Sequence, residues 1–152
     1  MRRFEVSEGI WLIPAARYKT EVDHEVPLSA AAQAVLASTP RIGPGDVVFT
    51  FNGVNPISGF STLKKRFDAA CGVTGWTLHN LRRTAKTLLQ RAGVLPHISE
   101  RCLRHVIRGV EGVYDHHAYR SEKLHAFEAL AALVERIVRP PAHNVVSFNH
   151  SA

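Results

Sequence analysis

Residues 76–119 read WTLHNLRRTAKTLLQRAGVLPHISERCLRHVIRGVEGVYDHHAY. Leu81, Ala85, Leu88 and Leu89 recur at helical spacing. This predicts a helix from Leu78 or His79 to Ala92, with those four as its buried stripe and Gly93 as its stop. Pro96 suits the first turn of a following helix that runs through Leu103. Gly109 and Gly112 then loosen the chain just before Tyr114. The stretch also concentrates polar chemistry. His79, Arg82 and Lys86 share one helix face, because residues three and four apart stack. Arg83 adjoins them, and His105 and Tyr114 follow.

Upstream, Arg3 to Val6 and Ile10 to Pro14 predict two short strands joined by a Ser-Glu-Gly turn. AARYKTEVDHEVPLS predicts a strand, a basic hairpin turn around Tyr18-Lys19-Thr20 and a returning strand that ends near Pro27. Ser29 is an N-cap for a helix over Ala30 to Ala37, stopped by Thr39-Pro40. RIGPGD is a turn cluster, Val47 to Phe51 a short buried strand, and NGVNPISG a loop. A helix from Ser58 or Ser61 to about Cys71 places Phe60, Leu63, Phe67 and Ala70 on one face, and Gly72 ends it. Downstream, Ser121 caps a last helix with Leu124, Phe127, Leu130, Ala131, Val134 and Ile137 on its apolar side. Pro140-Pro141 terminates it. The expected fold class is α+β: a small N-terminal antiparallel sheet or hairpin followed by a mainly helical bundle over residues 1–138, with a tail at 139–152.

The 152 residues suffice for one domain with a core that needs no disulfides or metal. Hydrophobic residues make up 45% and charged residues 21%, ordinary for a soluble domain. The net charge of +6 is compatible with a nucleic-acid or phosphate partner. Cys71 and Cys102 show no motif spacing. They are read as small buried apolar residues in a reducing, cytoplasmic compartment. No apolar run reaches membrane-spanning length and none follows the basic start as a signal peptide would require, so no membrane association is expected.

Phosphate chemistry needs donors where charge builds on non-bridging oxygens, and Arg82 with His79 one turn away supplies them. Otherwise they are a surface arginine near a capping histidine. His105 is a further donor, or a residue satisfying a helix C-terminus. Tyr114 is a core tyrosine or a nucleophile, and a phenol that titrates near 10 needs adjacent positive charge or a base to act at neutral pH. Lys19 is a solvated hairpin lysine or a proton donor to a leaving alkoxide. His116-His117 lacks companions at ligand spacing, so zinc is not expected. No P-loop, dinucleotide-binding or GxSxG motif is present. Leu78 to Arg104 also admits a helix-turn-helix reading, which leaves Tyr114 and Lys19 unexplained.

Taken together, these segments resemble the catalytic domain of the tyrosine recombinases, in particular the phage-type integrases. WTLHNLRRTAKTLL is similar to the family's His-x-x-Arg box. GVLPHISERCLRHV is similar to the segment that usually carries Leu-Gly-His, and GVYDHHAYRSEKLHAFEAL to the nucleophile segment and the helix after it. IWLIPAARYKTEVDHEVPLS resembles the hairpin that carries the family's lysine. The likeness covers roughly residues 1 to 138. Topoisomerase IB enzymes share this catalytic logic, but the hairpin and the Tyr114 segment look more phage-like.

The resemblance implies that Tyr114 attacks a backbone phosphate of double-stranded DNA at an attachment-type site. A 3′-phosphotyrosyl link forms and a 5′-hydroxyl leaves. Arg82 would bind the non-bridging oxygens, His79 and His105 would assist, and Lys19 would protonate the leaving oxygen. Arg83 and Lys86, with Lys19 and Arg82, would contact DNA. No metal or other cofactor is implied, and a homo-oligomer on DNA is. Tyr119 is the rival nucleophile. Asn80 replaces the usual acidic residue of the box, Arg104 a small or polar residue, and His116 a common arginine. The family's first arginine lies on a helix before the first strand, and MRRFEVSEGIW resembles the strand after that helix; neither Arg2 nor Arg3 sits in the motif. Loss of such a contact is worth roughly 2 to 4 kcal/mol, so weak or no strand exchange is expected from this chain alone. The alternatives are a non-catalytic DNA-binding remnant or regulator, and a helix-mediated interaction protein whose tail docks on a neighbour.

Overall fold

A computed structural model describes residues 6–7, 9–17, 23–44, 47–104 and 119–141. Three antiparallel strands, β1 (Val6–Ser7), β2 (Ile10–Ile13) and β3 (His24–Pro27), form a sheet in sequence order. β2 and β3 are the arms of the expected hairpin, in register from Ile10 opposite Pro27 to Ile13 opposite His24. The strand expected at the start of AARYKT is instead a turn of 3-10 helix, Ala15–Arg17. Its first N–H donates to the Asp23 carboxylate at 2.7 Å, which stitches the turn to the foot of β3.

Five α-helices follow among the described residues: α1 (Ala30–Ser38), α2 (Phe60–Cys71), α3 (Leu78–Arg91), α4 (Pro96–Cys102) and α5 (Arg120–Val138). The class is α+β, as expected. Ser29 caps α1, its Oγ accepting from the Ala32 N–H at 3.3 Å. The Glu128 carboxylate of α5 accepts from the Ala30 N–H at 2.7 Å. An acidic group at a helix N-terminus complements the helix dipole and here docks α1 onto α5. Gly72 and Gly93 end α2 and α3 in left-handed backbone. Ser121 is not the cap of the last helix. That position belongs to Tyr119, itself left-handed at φ 47.

The expected strand at Val47 to Phe51 does not form. The segment is an irregular loop held by the Thr50 hydroxyl, which accepts from the Gly53 N–H at 3.0 Å and donates to the Asn55 carbonyl at 2.6 Å. Among the described residues a single bridge, Thr50 to Pro56, is all that resembles sheet there. Gly53 is required there. Its φ is 75, and a Cβ would lie 2.5 Å from the Ile42 carbonyl oxygen.

The buried core among the described residues is small. Leu89 of α3, Ile98 and Cys102 of α4 and Ala126 of α5 make its centre, with Val94, Tyr119, Phe127 and Leu130 against it. The apolar stripes expected to be buried are only partly so. On α3 Leu89 is fully buried, whereas Leu81 is 58% exposed. On α2 Phe60 and Phe67 are exposed, and on α5 Leu124, Val134 and Ile137 are exposed. Phe60, Phe67, Val73, Trp76 and Leu81 instead line an open apolar groove of about 670 Å³ beside α2 and the start of α3. Cys102 is buried and Cys71 is exposed, which corrects the expectation that both are buried. No described helix is long and apolar enough to cross a membrane.

Candidate active site

The site is built around the first turns of α3. Asn80 fixes that helix end: its Oδ1 accepts from the Thr77 N–H at 2.8 Å and from the Thr77 hydroxyl at 2.7 Å. This is the logic of a capping box with asparagine in the third helical position. It gives Asn80, which stands where the resemblance implies an acidic residue, a structural role. His79 in the first turn is exposed, and Arg82 is half-buried.

Two of the three basic side chains predicted to share a face cross to α4. Arg82 donates from Nη2 to the Leu103 carbonyl at the end of α4. Lys86 pairs with Glu100. Arg83 points to solvent. Arg82 is thereby drawn to a backbone position two residues before His105 in sequence. His105, Tyr114 and Lys19 lie outside the described residues.

Arg104, directly after Leu103, is a non-glycine residue at φ 48. Left-handed backbone costs an ordinary L-residue roughly 1 to 2 kcal/mol. A glycine adopts it without that cost, and the resemblance implies a small or polar residue at this position. Arg104 turns back to the sheet, donating from Nη1 to the Asp23 carbonyl at 2.9 Å. From α5, the buried Lys123 donates from Nζ to the Glu25 carbonyl at 2.9 Å. Arg120 forks the Glu25 carboxylate with contacts of 2.8 and 3.0 Å. Among the described residues β3 is the outer strand of the sheet, and carbonyls two residues apart point the same way. These carbonyls are thus capped by cations from α5 and the end of α4.

His24 stands between those two capped carbonyls. Burial pushes its imidazole down to about 4, and the positive charges of Arg104, Lys123 and Arg82 push in the same direction. Burial also lowers the Lys123 ammonium, against the attraction of Glu25. Burial raises the Cys102 thiol to about 11, against the pull of Lys123, leaving it a core residue without thiolate character. Tyr119, the rival nucleophile, packs on the core cluster with the Arg101 guanidinium 4.1 Å over its ring and His97 edge-on at 6.5 Å.

Sequence reading found Arg82 and His79 but not His24 or Lys123, and it treated Arg104 only as a departure. The missed residues come from β3, the end of α4 and α5. The contacts joining them span 81 and 98 positions of chain, beyond the reach of any local spacing. No group of three or more His, Cys, Asp or Glu side chains suited to a metal occurs among the described residues.

The geometry defines an α+β domain with a cationic cluster where α3, the end of α4, α5 and the hairpin meet. Over 135 residues, 87% of its length, the chain is 31% identical to the prophage integrase IntA of Escherichia coli (strain K12). It covers 32% of that protein and so spans about a third of the relative's length. No protein-family model matches the chain, and no solved structure matches it significantly.

Proposed function

We propose that the chain is part of the catalytic domain of a tyrosine-type integrase, a recombinase that breaks and rejoins double-stranded DNA. The observation that carries this reading is the crossing of Arg82 from α3 to the Leu103 carbonyl, inside a chain with integrase similarity over 87% of its length. A half-buried guanidinium fixed by a backbone carbonyl keeps donors in place for the non-bridging oxygens of a phosphate. Preorganised donors of this kind stabilise charge as it develops.

In this reading the Tyr114 hydroxyl attacks phosphorus and the 5′-oxygen leaves with a proton from Lys19. The phosphodiester is conserved as a 3′-phosphotyrosyl ester. His79 and His105 hydrogen-bond the phosphate and handle the phenol proton. Arg83 contacts the DNA backbone. Lys86 reaches a phosphate by exchanging the Glu100 carboxylate for it. The chemistry needs no metal or nucleotide, because the covalent link stores the energy of the broken bond. DNA is the partner, with several copies of the chain assembled on it.

The test is incubation with a suicide duplex that loses its cleaved end, followed by denaturing electrophoresis. A slow covalent adduct is expected that disappears in Tyr114→Phe and falls by at least about a hundredfold in Arg82→Ala. Salt-dependent DNA binding with no adduct, unchanged in Tyr114→Phe, identifies instead a non-catalytic DNA-binding module.

A further inference from the structure

The carbonyl that holds Arg82 belongs to the peptide between Leu103 and Arg104, and that peptide is pinned on both sides. On one side α4 closes on itself: the Leu103 N–H donates to the Ser99 carbonyl at 3.2 Å and the Arg104 N–H to the Arg101 carbonyl at 3.1 Å. On the other side the Arg104 guanidinium donates to the carbonyl of Asp23, the residue before β3, at 2.9 Å. That end of the strand is itself anchored. The buried Lys123 of α5 donates to the Glu25 carbonyl at 2.9 Å, and the Asp23 carboxylate accepts from the Ala15 N–H at 2.7 Å. A line of hydrogen bonds thus runs from α5 through β3 and Arg104 to Arg82. Resting on the phosphate-binding reading of Arg82, we propose that Arg104 is a positioning residue for it. By tying the Leu103–Arg104 peptide to the hairpin, Arg104 fixes the carbonyl that orients the Arg82 fork.

The physical case starts from the planarity of a guanidinium, whose five N–H donors keep a fixed geometry. One donor of Arg82 is committed to the Leu103 carbonyl, so the direction of that carbonyl sets where the other donors point. A carbonyl that swings carries the whole fork with it, and a misplacement of about 1 Å can cost roughly a hundredfold in rate. This also gives the left-handed backbone of Arg104 a purpose. A glycine would adopt φ 48 without strain but has no side chain with which to tie the peptide to Asp23. Strained backbone persists where the surrounding contacts over-determine it, as they do at this junction.

The experiment uses the full chain with Arg104→Gly, a substitution that suits the backbone and removes the tether. The Arg82 Nε–Hε resonance, assigned from its loss in Arg82→Ala, is followed by NMR. It is expected to shift and broaden in Arg104→Gly while the Leu89 methyl resonances stay in place. Adduct formation on the suicide duplex at saturating DNA is expected to fall about tenfold. In an Arg82→Ala background the same substitution is expected to change the rate by less than about twofold, because its effect passes through Arg82. An Arg82 resonance that Arg104→Gly leaves unmoved, or an unchanged adduct rate, overturns the proposal while the integrase reading stands. So does a further tenfold loss in the Arg82→Ala background, which would mean that Arg104 acts by another route. No adduct from the wild-type chain overturns the integrase reading and this inference together.

Discussion

Arg104 and Asp23 are 81 positions apart, yet the Arg104 guanidinium donates to the Asp23 carbonyl at 2.9 Å. This bond ties the residue after α4 to the foot of the hairpin and brings a third element to the cluster beside Arg82. It holds a side chain whose backbone is left-handed at φ 48. Two opposed effects meet here. Glycine at 104 removes roughly 1 kcal/mol of backbone strain but gives up a hydrogen bond worth about 1 kcal/mol and adds freedom to the unfolded chain. Arg104→Gly is therefore expected to change stability by less than about 1 kcal/mol in urea unfolding. It should also raise the His24 midpoint in an NMR titration, because Arg104 is the leading charge that lowers it.

His24 makes stability depend on pH with a definite sign. Its folded value of about 4 lies below the 6.5 of the unfolded chain. Between those values the unfolded state binds more protons, so stability falls as pH is lowered through this window and levels off below it. The full span corresponds to about 3 kcal/mol at most. Comparing urea midpoints of wild type and His24→Gln from pH 7 to pH 4 checks this. The wild type should lose stability faster than the variant over that interval.

Leu89 is the one large apolar side chain with no exposed surface among the described residues. It joins α3 to α4 and α5. Leu89→Ala removes its contacts and leaves a cavity, at an expected cost of about 2 to 5 kcal/mol. With so small a core, chemical denaturation should show a large drop in midpoint.

Asn80 carries the start of α3 through its bonds to Thr77. Asn80→Ala is expected to cost about 1 kcal/mol, as loss of a capping group does. Because His79 and Arg82 lie in the turns it holds, amide exchange at 78–82 should speed up more than elsewhere in α3.

The α+β class, the hairpin, and the α1, α2, α3 and α4 segments were legible in sequence because their signals are local. Ser29, Gly72, Gly93 and Pro96 act within a turn of where they stand. What was not legible depended on which faces meet. The stripe through Phe60 and Phe67 has helical spacing but lines an open groove, since spacing says nothing about what lies opposite. Val47 to Phe51 is apolar enough for a strand, yet the Thr50 hydroxyl bonds the loop to itself and no strand among the described residues pairs with it. His79 and Arg82 were found from their spacing on one helix. His24, Arg104 and Lys123 were not, because a four-element junction leaves no periodic trace. Lys19, His105 and Tyr114 were singled out by residue type and place in the chain, and the resemblance joined them to Arg82 in one mechanism; all three lie outside the described residues.

The most direct test of the central proposal is to identify the residue that becomes joined to DNA. The chain is trapped on a suicide duplex, digested with nuclease and protease, and the nucleotide-bearing peptide is sequenced by mass spectrometry. The proposal predicts a phosphotyrosyl nucleotide on Tyr114, lost in Arg82→Ala. A nucleotide on Tyr119 or on any other side chain, or a bound duplex from which no adduct forms, contradicts it.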